Sequence, residues 1–267
     1  MTYRGKTRAL GCALALTTLV ACLPTATAPE PALIGEGMPV LFIGNSHTFV
    51  HDVPGIFQAL ADSAGGSPVA VMTVAAPSYA LIDHWNDGSA AQQIRRRQWT
   101  FVVLQQGWTP AGVCRDTLIL AARLFAAEVQ KAGARLAMYQ VWGANGQPGQ
   151  TTASIESYRI ASQEVGALLL PAAAAWASLP VADQARLYMD GIHASPEGAY
   201  FTALVMYRRI LGTSVVGLPA TLRTRIGVDV VVPPARAALM QHLADSVATT
   251  PDATGPGVSP PVITSRC

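Results

Sequence analysis

From residue 38 onward, short continuous apolar runs alternate with longer stretches whose apolar positions recur every third or fourth residue. The runs at 39–43, 68–74, 101–105, 134–140 and 167–170 read as strands. Between and after them, 56–64, 79–97, 116–132, 151–166, 197–211 and 235–248 read as helices. The pattern at 79–97 is broken by Asp87-Gly88, and Gly65-Gly66 and Gly133 stand where helix ends need a left-handed residue. The strands are apolar at every position rather than every second one. That is the mark of a parallel sheet covered on both faces, and regular strand–helix alternation supplies the crossovers it needs. The pattern predicts one α/β/α domain over 38–248, preceded by a Pro/Ala/Thr-rich linker at 23–37 and followed by an aperiodic tail at 249–267. In such a sheet, ligands bind beyond the carboxyl ends of the strands. The first end is Gly44-Asn45-Ser46-His47 and the third is Gln105-Gln106-Gly107-Trp108.

Composition agrees with a single sizeable core. Of 267 residues, 51% are hydrophobic and only 13% charged. The formal net charge of +2 depends on the N-terminus: Arg4, Lys6 and Arg8 precede residue 22 and no acid does, so the remainder carries 15 basic against 16 acidic residues. A near-neutral domain has no electrostatic case for nucleic acid, and Arg95-Arg96-Arg97 reads as a solvated helix end. The basic start followed by ALGCALALTTLVA has the form of an export signal, too short to span a bilayer as a stable helix. Its end, Leu19-Val20-Ala21-Cys22, is similar to the lipobox of bacterial lipoproteins and marks Cys22 as a lipidation site. Cleavage after Ala26-Thr27-Ala28 is the alternative. Either route predicts export, to the bacterial cell envelope or beyond. Export permits disulfides, and Cys114 and Cys267 are the candidate pair, with two free thiols as the alternative.

A serine hydroxyl attacks only when a base takes its proton, and the base needs an orienting partner, usually a carboxylate. Of five histidines, His242 falls on a surface-type helix and His84 follows the second strand, while His47 and His51 flank the first strand's loop. His47 and His51, four apart, could share a helix face, but only Asp52 adds a ligand, so no metal set is complete. His193 has the richest setting, Asp190-Gly191-Ile192-His193-Ala194-Ser195-Pro196-Glu197-Gly198. Here a carboxylate three residues before a His lies in a loop that leads into a helix.

The Gly-Asn-Ser block after strand one, together with Asp-Gly-Ile-His near the C-terminus, resembles the SGNH (GDSL-type) hydrolase superfamily over residues 38 to about 212. The resemblance implies a flavodoxin-like, three-layer α/β/α sandwich around a five-stranded parallel sheet, and no metal or organic cofactor. Carried onto this sequence, it makes Ser46 the nucleophile, His193 the general base and Asp190 its partner. Ser46 would then open a helix, with its N–H and the helix dipole facing the oxyanion. Two family blocks differ here. In place of Gly-x-Asn-Asp the third strand ends in Gln105-Gln106-Gly107, which resembles the Gln-Gly-Glu block of carbohydrate acetylesterases. A Gln amide can donate as Asn does, with Gln106 the first candidate and Gln105 the second. The glycine expected after strand two is missing. Ser78 or Tyr79 could donate a backbone N–H instead, whereas Pro77 has none.

Trp108, Trp142 and Trp176 follow strands three, four and five. They read as core, or for Trp108 and Trp142 as a rim on which sugars stack, with Asn145 and Gln147 lining the cleft. The sequence thus predicts an exported, membrane-tethered esterase acting on a small-molecule or carbohydrate ester. The alternative is a non-catalytic, lipid-anchored binding protein on the same fold.

Overall fold

The structure is a computed structural model that describes Met1 and residues 31–66 and 68–248. The expected signal segment, Cys22, and the tail with Cys267 lie outside the described residues. Cys114 is disulfide-bonded, and whether Cys267 is its partner lies outside them too.

Five parallel strands form the sheet in the order β2-β1-β3-β4-β5. They are β1 (Met38–Gly44), β2 (Val69–Ala75), β3 (Phe101–Leu104), β4 (Arg135–Tyr139) and β5 (Leu168–Leu170). Central β1 pairs Leu41 with Met72 on one side and with Val102 on the other. Val40, Leu41, Phe42 and Ile43 are all buried, as a strand covered on both faces requires. Helices lie on both sides of the sheet, and the whole is a three-layer α/β/α fold. In one group, α2 (Val53–Ser63) packs on α9 (Pro196–Leu211), with α10 (Pro234–Ala248) against α9. In the other, α3 (Leu81–Asp87), α4 (Ser89–Arg96) and α6 (Pro148–Val165) surround or adjoin α5 (Val113–Lys131).

Three local features depart from the sequence expectation. The expected linker at 23–37 reaches too far: Ile34 pairs with the edge residue Val71, and buried Gln58 donates to the Ile34 carbonyl at 2.8 Å. The domain therefore begins before residue 38. The helix after β1 is a single turn, α1 (Ser46–Phe49), separated from α2 by a kink in which His51 and Asp52 both take left-handed backbone, at φ 56° and 52°. Three short pieces carried no legible periodicity: α7 (Ala172–Ser178), α8 (Val181–Gln184) and a hairpin of β6 (Thr221–Arg223) with β7 (Asp229–Val231).

Candidate active site

At the carboxyl end of β1 the chain must turn sharply, and the residues there are those that permit it. A side chain at Gly44 would collide with the Gln105 amide oxygen and the Thr48 hydroxyl. Asn45 caps α1, its Oδ1 accepting from the His47 N–H at 3.1 Å. The backbone N–H groups of Thr48 and Phe49 both turn back to the Asn45 carbonyl. The Ser46 N–H is left with no acceptor among the described residues. An open N–H beside a half-buried serine hydroxyl is what an oxyanion would need.

The loop between α8 and α9 brings the other two residues across the sheet end. Tyr188 and Ala194 form a bridge that closes it, and Gly191 takes the left-handed backbone at φ 87° that the turn requires. Within this loop Asp190 Oδ1 accepts the N–H groups of Ile192 (3.0 Å) and His193 (2.8 Å), while Oδ2 holds His193 Nδ1 at 2.7 Å. His193 Nε2 lies 2.8 Å from Ser46 Oγ. The hydrogen bond from the His193 ring, then the two backbone N–H groups, keep the Asp190 carboxyl well below the usual carboxylate range. The pair is open to water, with side-chain exposures of 45% for Asp190 and 25% for His193. The structure thus brings together Ser46, His193 and Asp190.

The two glutamines hold the loops of the site together. Gln105 Oε1 accepts from the Asn45 N–H at 2.8 Å and the Thr48 hydroxyl at 2.7 Å, and its Nε2 donates to Asn45 Oδ1 at 2.9 Å. It is a strut that holds the nucleophile turn to β3. Gln106 is also buried. Its Oε1 accepts from Leu81 at 3.3 Å and its Nε2 donates to Thr109 at 3.2 Å. Each Nε2 spends one of its two N–H donors on these neighbours, and neither amide bonds to Ser46.

The loop after β2 separates the other two candidates. Residues 76–79 form a turn in which Tyr79 N–H donates to the Ala76 carbonyl at 3.3 Å. Tyr79 is therefore already engaged. Ser78, at φ 61°, holds the left-handed backbone that glycine would adopt freely, and its N–H has no acceptor among the described residues. The missing family glycine thus has a stand-in with the conformation but not the residue type. Asn45 Nδ2 ties this loop to the nucleophile by donating to the Tyr79 carbonyl at 2.9 Å, and His84 Nε2 donates to the Gly44 carbonyl at 2.7 Å.

Several supports were not legible in the sequence. Tyr158, on α6, grips the loop after β3: its hydroxyl donates to the Gln106 carbonyl at 2.5 Å and accepts the Gln106 N–H at 3.0 Å. His47 is buried, donates from Nδ1 to Asn45 Oδ1 at 3.2 Å, and has no partner for Nε2. Burial first, and His193 second, push His47 down to about 4. It shares no helix face with His51, because α1 ends between them. Among the described residues, no three His, Cys, Asp or Glu side chains are grouped to hold a metal. Trp142 is 1% exposed and stacks on Trp176, so it is interior and forms no rim; Trp108 is exposed at 38%. His242 lies on the exposed side of α10.

No family model matches the chain, and no curated protein does. Solved structures do. A proposed SGNH hydrolase from Slackia heliotrinireducens matches with TM-score 0.56 and 24% identity, over 66% of this chain and 100% of that one. A DUF4886 family protein from Bacteroides uniformis matches with TM-score 0.65 and 16% identity, over 82% and 98%. The lipase/acylhydrolase from Enterococcus faecalis matches with TM-score 0.54 and 16% identity, over 66% and 96%. The chain has the SGNH hydrolase fold.

Proposed function

We propose that this chain is a serine esterase that cleaves carboxylic esters through an acyl-enzyme on Ser46. The observation that carries the reading is the continuous relay Ser46 Oγ to His193 Nε2 at 2.8 Å and His193 Nδ1 to Asp190 Oδ2 at 2.7 Å. His193 takes the serine proton as Oγ attacks the ester carbonyl, then gives it to the departing alcohol. Asp190 holds Nδ1–H, so Nε2 stays free to accept. The Ser46 N–H and the Ser78 N–H are the donors we assign to the oxyanion. Water activated by the same His193 then releases the acid.

Export, a lipid anchor at Cys22 and an acetylated carbohydrate substrate are the finer parts of the reading. The N-terminal pattern supports the first two. The acetylated carbohydrate rests on the likeness of Gln105-Gln106-Gly107 to the acetylesterase block. A cleft of about 510 Å³ beside the Asp190–His193 loop mixes polar Asn145, Gln147 and Gln184 with apolar Trp142, Trp176 and Val181 and so favours neither substrate. Phe49 (40% exposed), Met189 (55%) and Ile192 (49%), neighbours in sequence of the three site residues, favour instead an ester with an apolar acyl or aryl group. Hydrolysis of p-nitrophenyl acetate, butyrate and octanoate tests both. Activity lost in Ser46→Ala and His193→Ala supports the serine mechanism, and the chain-length preference separates the two substrates. Turnover that survives both substitutions contradicts the mechanism. Absence of turnover on every ester favours the non-catalytic binding protein.

A further inference from the structure

The loop that carries Asp190 and His193 is exposed, yet it must hold an imidazole within hydrogen-bonding distance of Ser46. A run of rings lies behind it. His193 faces His47 with centroids 5.5 Å apart, and His47 meets Trp142 edge-on at 5.7 Å. Trp142 stacks flat on Trp176 at 3.5 Å, and Trp176 meets Tyr188 edge-on at 5.1 Å. Tyr188 begins the same loop, where it bridges Ala194, and the Met189 N–H donates to the His193 carbonyl at 2.9 Å. The rings therefore form a closed circuit that starts and ends on the loop. Trp142 also pins the loop's middle, its Nε1–H donating to the Ile192 carbonyl at 3.0 Å.

We infer that His47 and Trp142 are positioning residues for the base: the His47 ring is the wall against which His193 rests, and Trp142 fixes both that wall and the loop. The inference rests on the esterase reading above. It assigns the work to the His47 ring rather than to its protons. Asn45 Oδ1 accepts three donors (His47 N–H, His47 Nδ1–H and Gln105 Nε2–H), so loss of the Nδ1–H leaves two, enough for a carbonyl oxygen. Without the ring, the imidazole loses this wall, and among the described residues only Asp190 restrains it from swinging off Ser46. A misplaced base slows the chemical step and leaves ester binding alone.

The test compares His47→Ala, His47→Phe and Trp142→Phe by steady-state kinetics on p-nitrophenyl acetate, and by the rate of Ser46 labelling with a fluorophosphonate. Circular dichroism serves as the check on folding. Expected are a fall in kcat of at least about tenfold with KM within about twofold for His47→Ala, and recovery to within about threefold of wild type for His47→Phe. Trp142→Phe keeps a ring but releases the Ile192 carbonyl, and should lie between them. It also serves as the readout should His47→Ala fail to fold. Equal activity in the Ala and Phe variants overturns the role of the ring, as does a rise in KM alone. A wild type that neither turns over ester nor labels at Ser46 overturns the esterase reading itself, and this inference with it.

Discussion

Asp190 shows how much one carboxylate settles. Its two oxygens divide their tasks, one fixing the loop's backbone and the other the tautomer of His193. In Asp190→Asn the amide oxygen can still serve the backbone, but the amide N–H₂ then faces Nδ1 and drives the proton to Nε2, where it blocks Ser46. We expect kcat to fall by about 10³ to 10⁴-fold with the fold intact, checked by steady-state kinetics beside a thermal melt. A tenfold loss or less would mean that the exposed carboxylate matters little. His47 leads to a pH prediction. It titrates near 4 when folded and near 6.5 when unfolded. Between those values the unfolded chain binds more protons, so stability rises with pH across this window and falls on acidification through it. From pH 6.5 to 5 the contribution lost is about 1.6 kcal/mol. Urea unfolding should show this dependence in wild type and a flatter one in His47→Phe.

At the scale of elements, the turn after β1 and the turn after β2 are built as one unit. Gln105 holds the first to β3, and Asn45 ties the first to the second. In Gln105→Leu the Asn45 N–H and the Thr48 hydroxyl lose their acceptor in a buried setting, at a cost of about 1–3 kcal/mol. The nucleophile turn loosens with them, so denaturant midpoint and kcat should fall together. If stability alone falls, Gln105 serves only the core. Ser78 gives the opposite sign. A non-glycine residue at φ 61° is held there at a cost of about 1–2 kcal/mol. Ser78→Gly relieves most of that and gives some back as unfolded-state entropy, while it keeps the N–H assigned to the oxyanion. A rise in Tm of about 2–4 °C with kcat retained is expected. A large drop in kcat would show that the serine side chain takes part.

For the molecule as a whole, the sheet was legible because its central strands are buried on both faces, so that runs such as Val40–Ile43 and Phe101–Leu104 are apolar without interruption and too short for helices. Ser46, Asp190 and His193 were legible because their blocks are local in sequence. The oxyanion side was not. Whether Gln106 faces the serine or Leu81 depends on how three loops meet, and Tyr158, His47 and Trp142 act across 52, 146 and 50 positions of sequence that no short motif spans. The domain's beginning was misjudged for a related reason: 31–37 has linker composition, yet Ile34 lies against the β2 edge and accepts from Gln58. A chain from residue 31 should therefore be more stable than one from residue 38, by about 1–3 kcal/mol in urea unfolding. Equal stability would return that segment to the linker. The central claim is that Ser46 is a nucleophile activated by His193. Its most direct test is reaction of the domain with a fluorophosphonate, followed by peptide mapping of the adduct. The account predicts one adduct per chain, on Ser46, formed far more slowly in His193→Ala and Asp190→Asn. No adduct, or one on another residue, would contradict it.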